Sequence, residues 1–359
     1  MSNSMRIIIR FTQVAVFSFF ALGAASVSVW GADVKGVLYQ GNQLAELDIQ
    51  DLQESEFDTL VLNVTEAWSP TEAERNQLNQ IEAAGLQLAL WIEVARDQTL
   101  ADRHPEWMAS IQGHPEWRRF HPTFPKITKE QIVKVYPWVP IAYRAAYEAQ
   151  LSKVERILIQ WPEAKLVFLN DIQGAPSACG CGHPLCRWTT DYGPKKTATR
   201  LENDFAARFV ESVKKMRSGL EVVPVWATEC EEGDKPGLCA GVGCYNGACW
   251  REWSAQLKPL AAVSPMIGAL LLEQTFQRSE IGSDWLATIP ASFSKMQKRY
   301  DHPEIGPNRL IAVVEGWQSG AELKWRRKRE QLESAGVSSF IVARTRIEQA
   351  WEPRVFELP

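Results

Sequence analysis

Eight short apolar runs rich in β-branched residues, helical patterns between them, and no glycine-rich dinucleotide loop after the first run predict an α/β fold, a (β/α)8 TIM barrel. The runs are KGVLY around Val37, Thr59–Val64, Leu86–Glu93, Lys165–Asp171, Glu221–Glu229, Ile267–Glu273, Leu310–Trp317 and Ser339–Arg344. Strands covered by helices on both faces lose the polar half of the usual alternation, so they read as near-continuous apolar stretches. An open doubly wound sheet is the alternative, and the missing G-x-G-x-x-G argues against it.

The chain opens MSNSMRIIIRFTQVAVFSFFALGAASVSVWGAD, with Arg6 and Arg10 ahead of an apolar run to about Val29 and the small residues Gly31 and Ala32 behind it. That order predicts a signal peptide over residues 1–32 and a single barrel domain over 33–359, secreted or periplasmic. A retained membrane anchor is the alternative, since spanning takes about 20 apolar residues. Losing the two arginines takes the formal charge from −4 to −6. A mildly acidic domain without a basic tract argues against nucleic-acid binding, which needs clustered Lys and Arg to neutralise phosphates.

The intervening segments carry helix signals. SPTEAERNQLNQIEAAG offers Ser69 as N-cap, Pro70 in the first turn, Glu72 to complete a capping box and Gly85 as the C-terminal stop. YRAAYEAQLSKVERILIQW sets Ala146, Leu151, Val154 and Ile157 at helical spacing. TRLENDFAARFVESVKKM and GAELKWRRKREQLESAG follow suit, the second stopping at Gly336. Two kinds of connection are longer than turns: the stretch from about Arg96 to Pro140, and the Cys-rich stretches after the fourth and fifth runs. Loops of that length are usually functional, and in a barrel the loops that follow strands gather on the C-terminal face.

Acids stand where the runs end, at Glu93, Asp171, Glu229, Glu273 and Glu315. Hydrolysis of a glycosidic bond uses two carboxyls across the sugar ring, and burial at a strand end raises a carboxyl pKa as a proton donor requires. The structural alternative pairs these acids with Arg96, Arg278, Arg344 or Arg346. FLND at the end of the fourth run and VVEGW at the end of the seventh resemble the (β/α)8 glycoside hydrolase superfamily, many members of which carry Asn-Glu at the first place and Glu at the second. The resemblance implies that Asn170 contacts the sugar, Asp171 is the acid/base and Glu315 the nucleophile, with Glu93, Glu229 and Glu273 in reserve. Asp171 is one methylene shorter than the Glu of that pattern, which widens the gap between carboxyls, moves the role to Glu93 or Glu229, or means that no hydrolysis occurs. The HPEW segments and YPWVP also resemble those of secreted hydrolase-like bacterial barrels.

Fifteen tryptophans are the unusual count. Trp68, Trp91, Trp226 and Trp317 fall at or beyond run ends, where an indole face can stack on a sugar, although Trp also fills cores. All five histidines precede proline, at positions 104, 114, 121, 183 and 302, which restrains the loops. His104 and His121 are alternatively ligands for substrate or metal. All seven cysteines lie in two stretches, Cys179, Cys181 and Cys186, then Cys230, Cys239, Cys244 and Cys249. In an oxidising compartment such clusters default to disulfides, although the odd count and His183 keep a structural metal open. No cofactor is expected otherwise.

The expected partner is therefore carbohydrate, and the expected reaction hydrolysis of an O-glycosyl bond in a poly- or oligosaccharide. The alternatives are a non-catalytic carbohydrate-binding barrel, favoured if the strand-end acids are bound to arginines, and a metal-dependent hydrolase, which requires His and acid side chains to converge.

Overall fold

The computed structural model describes residues 33–54, 57–108, 123–172, 199–227, 260, 262–271, 307–316, 321–347 and 352–357. Among them are ten strands: β1 (Lys35–Gln40), β2 (Thr59–Asn63), β3 (Gln87–Glu93), β4 (Gln131–Tyr136), β5 (Leu166–Asn170), β6 (Glu221–Ala227), β7 (Ile267–Leu271), β8 (Leu310–Glu315), β9 (Ser339–Ala343) and β10 (Glu352–Glu357). Eight close into a barrel in the order β1-β2-β3-β5-β6-β7-β8-β9, each pair parallel, with β9 returning to β1. These eight are the eight runs marked in the sequence. Residues 33–359 form one compact unit.

Burial explains why the runs are apolar throughout. Leu60, Leu62, Leu90, Ile92, Val167, Leu169, Val314 and Val342 belong to one core with residues of the surrounding helices. The helices are α1 (Ile49–Glu54), α2 (Glu72–Ala83), α3 (Gln98–Arg103), α4 (Arg144–Gln160), α5 (Thr199–Met216) and α6 (Ala321–Ser334). Val154 and Ile157 of α4, Phe209 and Val210 of α5, and Trp325 and Leu332 of α6 supply the helical side of that core. The alternate strand residues turn inward, where Trp91 stacks on Phe168 with ring centroids 5.9 Å apart. Each such side chain, fully buried, contributes about 1.5–3 kcal/mol.

The start of α2 corrects the sequence reading. Thr71, not Ser69, is the N-cap: its hydroxyl accepts from the Glu74 amide at 3.3 Å, and the Glu74 carboxylate accepts from the Thr71 amide at 2.7 Å. SPTEAE holds two overlapping Ser/Thr-x-x-Glu registers, and the chain uses the second, leaving Pro70 ahead of the helix. The stops are as expected, with Gly85 at φ 83° and Gly336 at φ 86°, backbone that an L side chain rarely adopts.

The stretch between β3 and α4 is more than a loop. It contains α3, a 3-10 turn at Pro105–Trp107 and β4, which pairs antiparallel with β10 from Gln131↔Glu357 to Tyr136↔Glu352. Lys134, buried on β4, donates to the carbonyls of Pro105 and Glu106, each at 3.0 Å, and so fastens the 3-10 turn to the ribbon. After β4 the chain lies along the β3 exit: the Val139 amide donates to the Ala95 carbonyl at 2.8 Å, and the Asp97 amide to the Pro137 carbonyl at 3.1 Å. Among the described residues no helix is long and apolar enough to cross a membrane.

Candidate active site

β3 and β5 are neighbours with Glu93 in register with Asn170. Because side chains alternate along a strand, Trp91 and Glu93 share the inner face of β3, and Phe168 and Asn170 that of β5. Both oxygens of the Glu93 carboxyl are held there. Trp91 Nε1 donates to Oε1 at 2.9 Å, and Asn170 Nδ2 donates to Oε2 at 2.7 Å.

The ladder continues past the strand ends, with the Val94 amide donating to the Asn170 carbonyl at 2.9 Å and the Ala95 amide to the Asp171 carbonyl at 3.2 Å. Asp171 sits at φ 55°, a left-handed conformation that Asp tolerates better than most residues. Its carboxyl meets Arg96, whose Nε and Nη2 both donate to Oδ2, at 3.1 and 3.0 Å. Arg96 Nη2 also lies 3.8 Å from Glu93 Oε2, and its guanidinium carbon lies 5.9 Å from the Trp138 ring centroid.

Burial pushes the Asp171 carboxyl well above the usual carboxylate range. The Arg96 cation opposes that shift, whereas the charge of Glu93 and a hydrogen bond with its carboxyl add to it. Burial beside a second carboxyl thus favours the protonated form of Asp171. From α4, half-buried Lys153 donates to the carbonyls of Glu93 (2.9 Å) and Val94 (3.0 Å) and to Asp97 Oδ2 (2.9 Å). Burial lowers the Lys153 pKa, and Asp97 works against that shift. The end of β3 is thus tied by Lys153 through its backbone and by Arg96 through its acids.

Glu315 ends β8, four places from β3 in either direction around the eight-stranded barrel, and so faces it across the mouth. Val314 belongs to the outer core, which puts buried Glu315 on the inner face. The strand is in register with Ala343 of β9, and the Gly316 amide donates to the Ala343 carbonyl at 2.8 Å. A Cβ at Gly316 would lie 2.3 Å from Val342 Cγ1 and 3.0 Å from the Ala343 carbonyl oxygen, so glycine is required for the two strands to run this close.

Several expected roles change. Asp171 lies at the strand end as expected, yet its carboxyl is engaged by Arg96, the pairing the structural alternative named. Trp91 offers no face to a sugar: it is fully buried against Phe168 and uses its N–H to orient Glu93. Asn170 spends its amide nitrogen on Glu93, while its buried Oδ1 has no hydrogen-bond partner among the described residues. His104 lies flat on Trp107, centroids 3.7 Å apart and planes 8° from parallel, with Nδ1 3.2 Å from Glu106 Oε1. Those contacts belong to its own HPEW turn, and the structure does not bring it to the carboxyl pair. Trp226 lies on β6 in register with Ala269. Glu229, Glu273, Trp317, His121 and His183 lie outside the described residues, as do Cys179, Cys181, Cys186, Cys230, Cys239, Cys244 and Cys249. Among the described residues no three His, Cys, Asp or Glu side chains group as metal ligands would.

Sequence reasoning missed Lys153. The signal was there: it stands four residues before Ile157 and three after Gln150, on the buried face of α4, where a lysine needs fixed acceptors.

No protein-family model matches the chain, and no curated protein matches it in sequence. Its structure is similar to that of alpha-L-fucosidase isoenzyme 2 from Paenibacillus thiaminolyticus, with a TM-score of 0.50 and 12% identity over 87% of this chain and 46% of that one. It is also similar to the beta-galactosidase from Rahnella sp. R3, with a TM-score of 0.51 and 11% identity over 89% of this chain and 51% of that one. The fold these structures share with the chain is the (β/α)8 barrel. The chain spans about half the length of those two proteins. At such identities the likeness concerns the fold, and chemistry has to be argued from the carboxyls themselves.

Proposed function

We propose that this protein is an exported glycoside hydrolase that cleaves an O-glycosyl bond of a poly- or oligosaccharide, with the Glu93–Asp171 pair as proton donor and Glu315 as nucleophile or base. The observation that carries this reading is a pair of carboxyls, Glu93 and Asp171, gathered on Arg96 at the C-terminal mouth of a barrel, with a third carboxyl on the strand opposite. Glu93 and Asp171 both lie against Arg96 Nη2, at 3.8 and 3.0 Å, so they are taken to act together, with their counterpart across the mouth. The Glu93 side chain is 19% exposed and that of Asp171 3%, which makes Glu93 the member that meets substrate. The one proton of the pair rests on buried Asp171, passes to Glu93 and from it to the leaving oxygen, and Arg96 balances the charge left on the two carboxylates. Residues 1–32 act as the export signal, and the Cys-rich stretches form disulfides in the oxidising compartment.

The test is Glu315→Gln against a glycan that the protein turns over. The expected result is loss of turnover with glycan binding retained, and undiminished turnover would remove Glu315 from the mechanism. A non-catalytic carbohydrate-binding barrel is the second reading, favoured by the engagement of Asp171 with Arg96. A broad glycan screen read for both binding and released sugar separates the two, since that reading expects binding without product.

A further inference from the structure

A second cavity lies on the flank of the barrel, outside the wall formed by β2 and β3 and beneath α3 and α4. Its volume is about 460 Å³, within the range of small-molecule sites. The apolar part of the lining is Val64, Ile92 and Ile157, and the polar part includes Thr65, Gln98 and Thr99. Four cations, Arg96, Arg103, Lys153 and Arg156, line it against three acids, Glu66, Glu93 and Asp97.

The charges sort into pairs with one left over. Arg156 Nε is 2.6 Å from Glu66 Oε1, Lys153 Nζ is 2.9 Å from Asp97 Oδ2, and Arg96 Nη2 is 3.8 Å from Glu93 Oε2 while also holding Asp171. Arg103, in the last turn of α3, has no acidic partner among the described residues. The cavity therefore carries one uncompensated guanidinium, whose planar fork fits the two oxygens of a carboxylate. A single surplus charge is balanced by a monoanion, whereas a phosphate dianion would leave negative charge over Glu66 and Asp97.

We propose that this flank cavity binds a sugar acid of hexuronate type, with its carboxylate on Arg103, its hydroxyls on Thr65, Gln98 and Thr99, and the apolar ring face over Ile92 and Ile157. Aliphatic side chains suit the C–H face of a pyranose, and hydroxyl and amide groups can donate and accept in turn as its hydroxyls require. The site shares Glu93 and Arg96 with the edge of the barrel mouth and extends from them toward α3 and α4, and it stands whether or not the mouth hydrolyses glycans. It touches the back of the strand that presents Glu93, because Lys153 lines the cavity and holds the Glu93 carbonyl.

The experiment is calorimetric titration of the purified full-length protein with sodium D-glucuronate and sodium D-galacturonate, with D-glucose and inorganic phosphate as controls. At least one uronate is expected to bind saturably and the controls not at all. Arg103→Gln, which changes an exposed side chain, is expected to weaken that binding roughly tenfold or more, as loss of a charge-assisted pair of hydrogen bonds does. Ala149→Trp, which fills the cavity, is expected to remove it with an unchanged melting profile, and Glu315→Gln to leave it unmoved. The proposal is overturned if neither uronate binds, if Arg103→Gln binds as well as wild type, if phosphate binds as tightly, or if Glu315→Gln abolishes binding and so places the ligand in the mouth.

Discussion

The two walls of the barrel mouth present acids by different means. On the β3–β5 wall, side chains do the positioning: Trp91 and Asn170 hold Glu93, Arg96 holds Asp171, and Lys153 holds the strand end beneath them. On the β8–β9 wall, positioning is a matter of backbone approach, with Gly316 packed so closely on Val342 and Ala343 that no side chain fits. A side-chain network can shift charge and pass a proton along, as an acid needs. A close-packed pair of strands keeps its acid at a fixed height, as a nucleophile or base needs. The division of labour proposed for Glu93–Asp171 and Glu315 follows from that difference.

The largest effect should come from breaking the network at its base. Lys153→Met leaves Asp97 and the Glu93 and Val94 carbonyls without their donor, and the expected loss is about 3–5 kcal/mol, as when one partner of a buried pair is removed. Denaturant unfolding measures it, and a change below about 1 kcal/mol would mean that the β3 end does not depend on this tie.

On the opposite wall, Gly316→Ala should cost about 1–3 kcal/mol by overpacking against Val342, with turnover falling as Glu315 is pushed from its place. A stable variant with full activity would show that the wall yields, and that the backbone does not set the position of the acid.

The smallest effect is a slope. Asp171 has a raised pKa in the folded chain, so between about pH 4, where the unfolded side chain titrates, and that raised value the native state binds the extra proton. The stability contributed by the protonated carboxyl is full below about pH 4 and falls as pH rises through the folded pKa, by at most about 1.4 kcal/mol per pH unit. Asp171→Asn should flatten that part of the stability curve. Unfolding midpoints across acid to neutral pH test it, and an unchanged slope would mean that Asp171 does not bind the extra proton in the native state.

The barrel itself was legible in the sequence because a strand buried on both faces has no polar positions, and all eight such runs became barrel strands. The β4–β10 ribbon was not: QIVKVY carries Lys134 inside it, and its partner EPRVFE lies at the far end of the chain, a pairing that no local pattern encodes. At the site, the strand-end acids were visible as positions, but their partners were not. Arg96 reaches Asp171, and Lys153 reaches the Glu93 carbonyl, across 75 and 60 residues of sequence. The role of Trp91 turned on which way the strand faces, since the inner face put its indole on Phe168 and its N–H on Glu93.

The ribbon has a consequence in time. Synthesis runs from β1 toward β10, so β4 leaves the ribosome long before its partner exists. The barrel strands are all present once β9 is made, whereas β4 has its partner only when β10 follows. The segment that backs Arg96 through Trp138 and Val139 is therefore completed last, and a chain interrupted after β9 would carry a finished barrel with an unpaired edge beside its most elaborate cluster of charges.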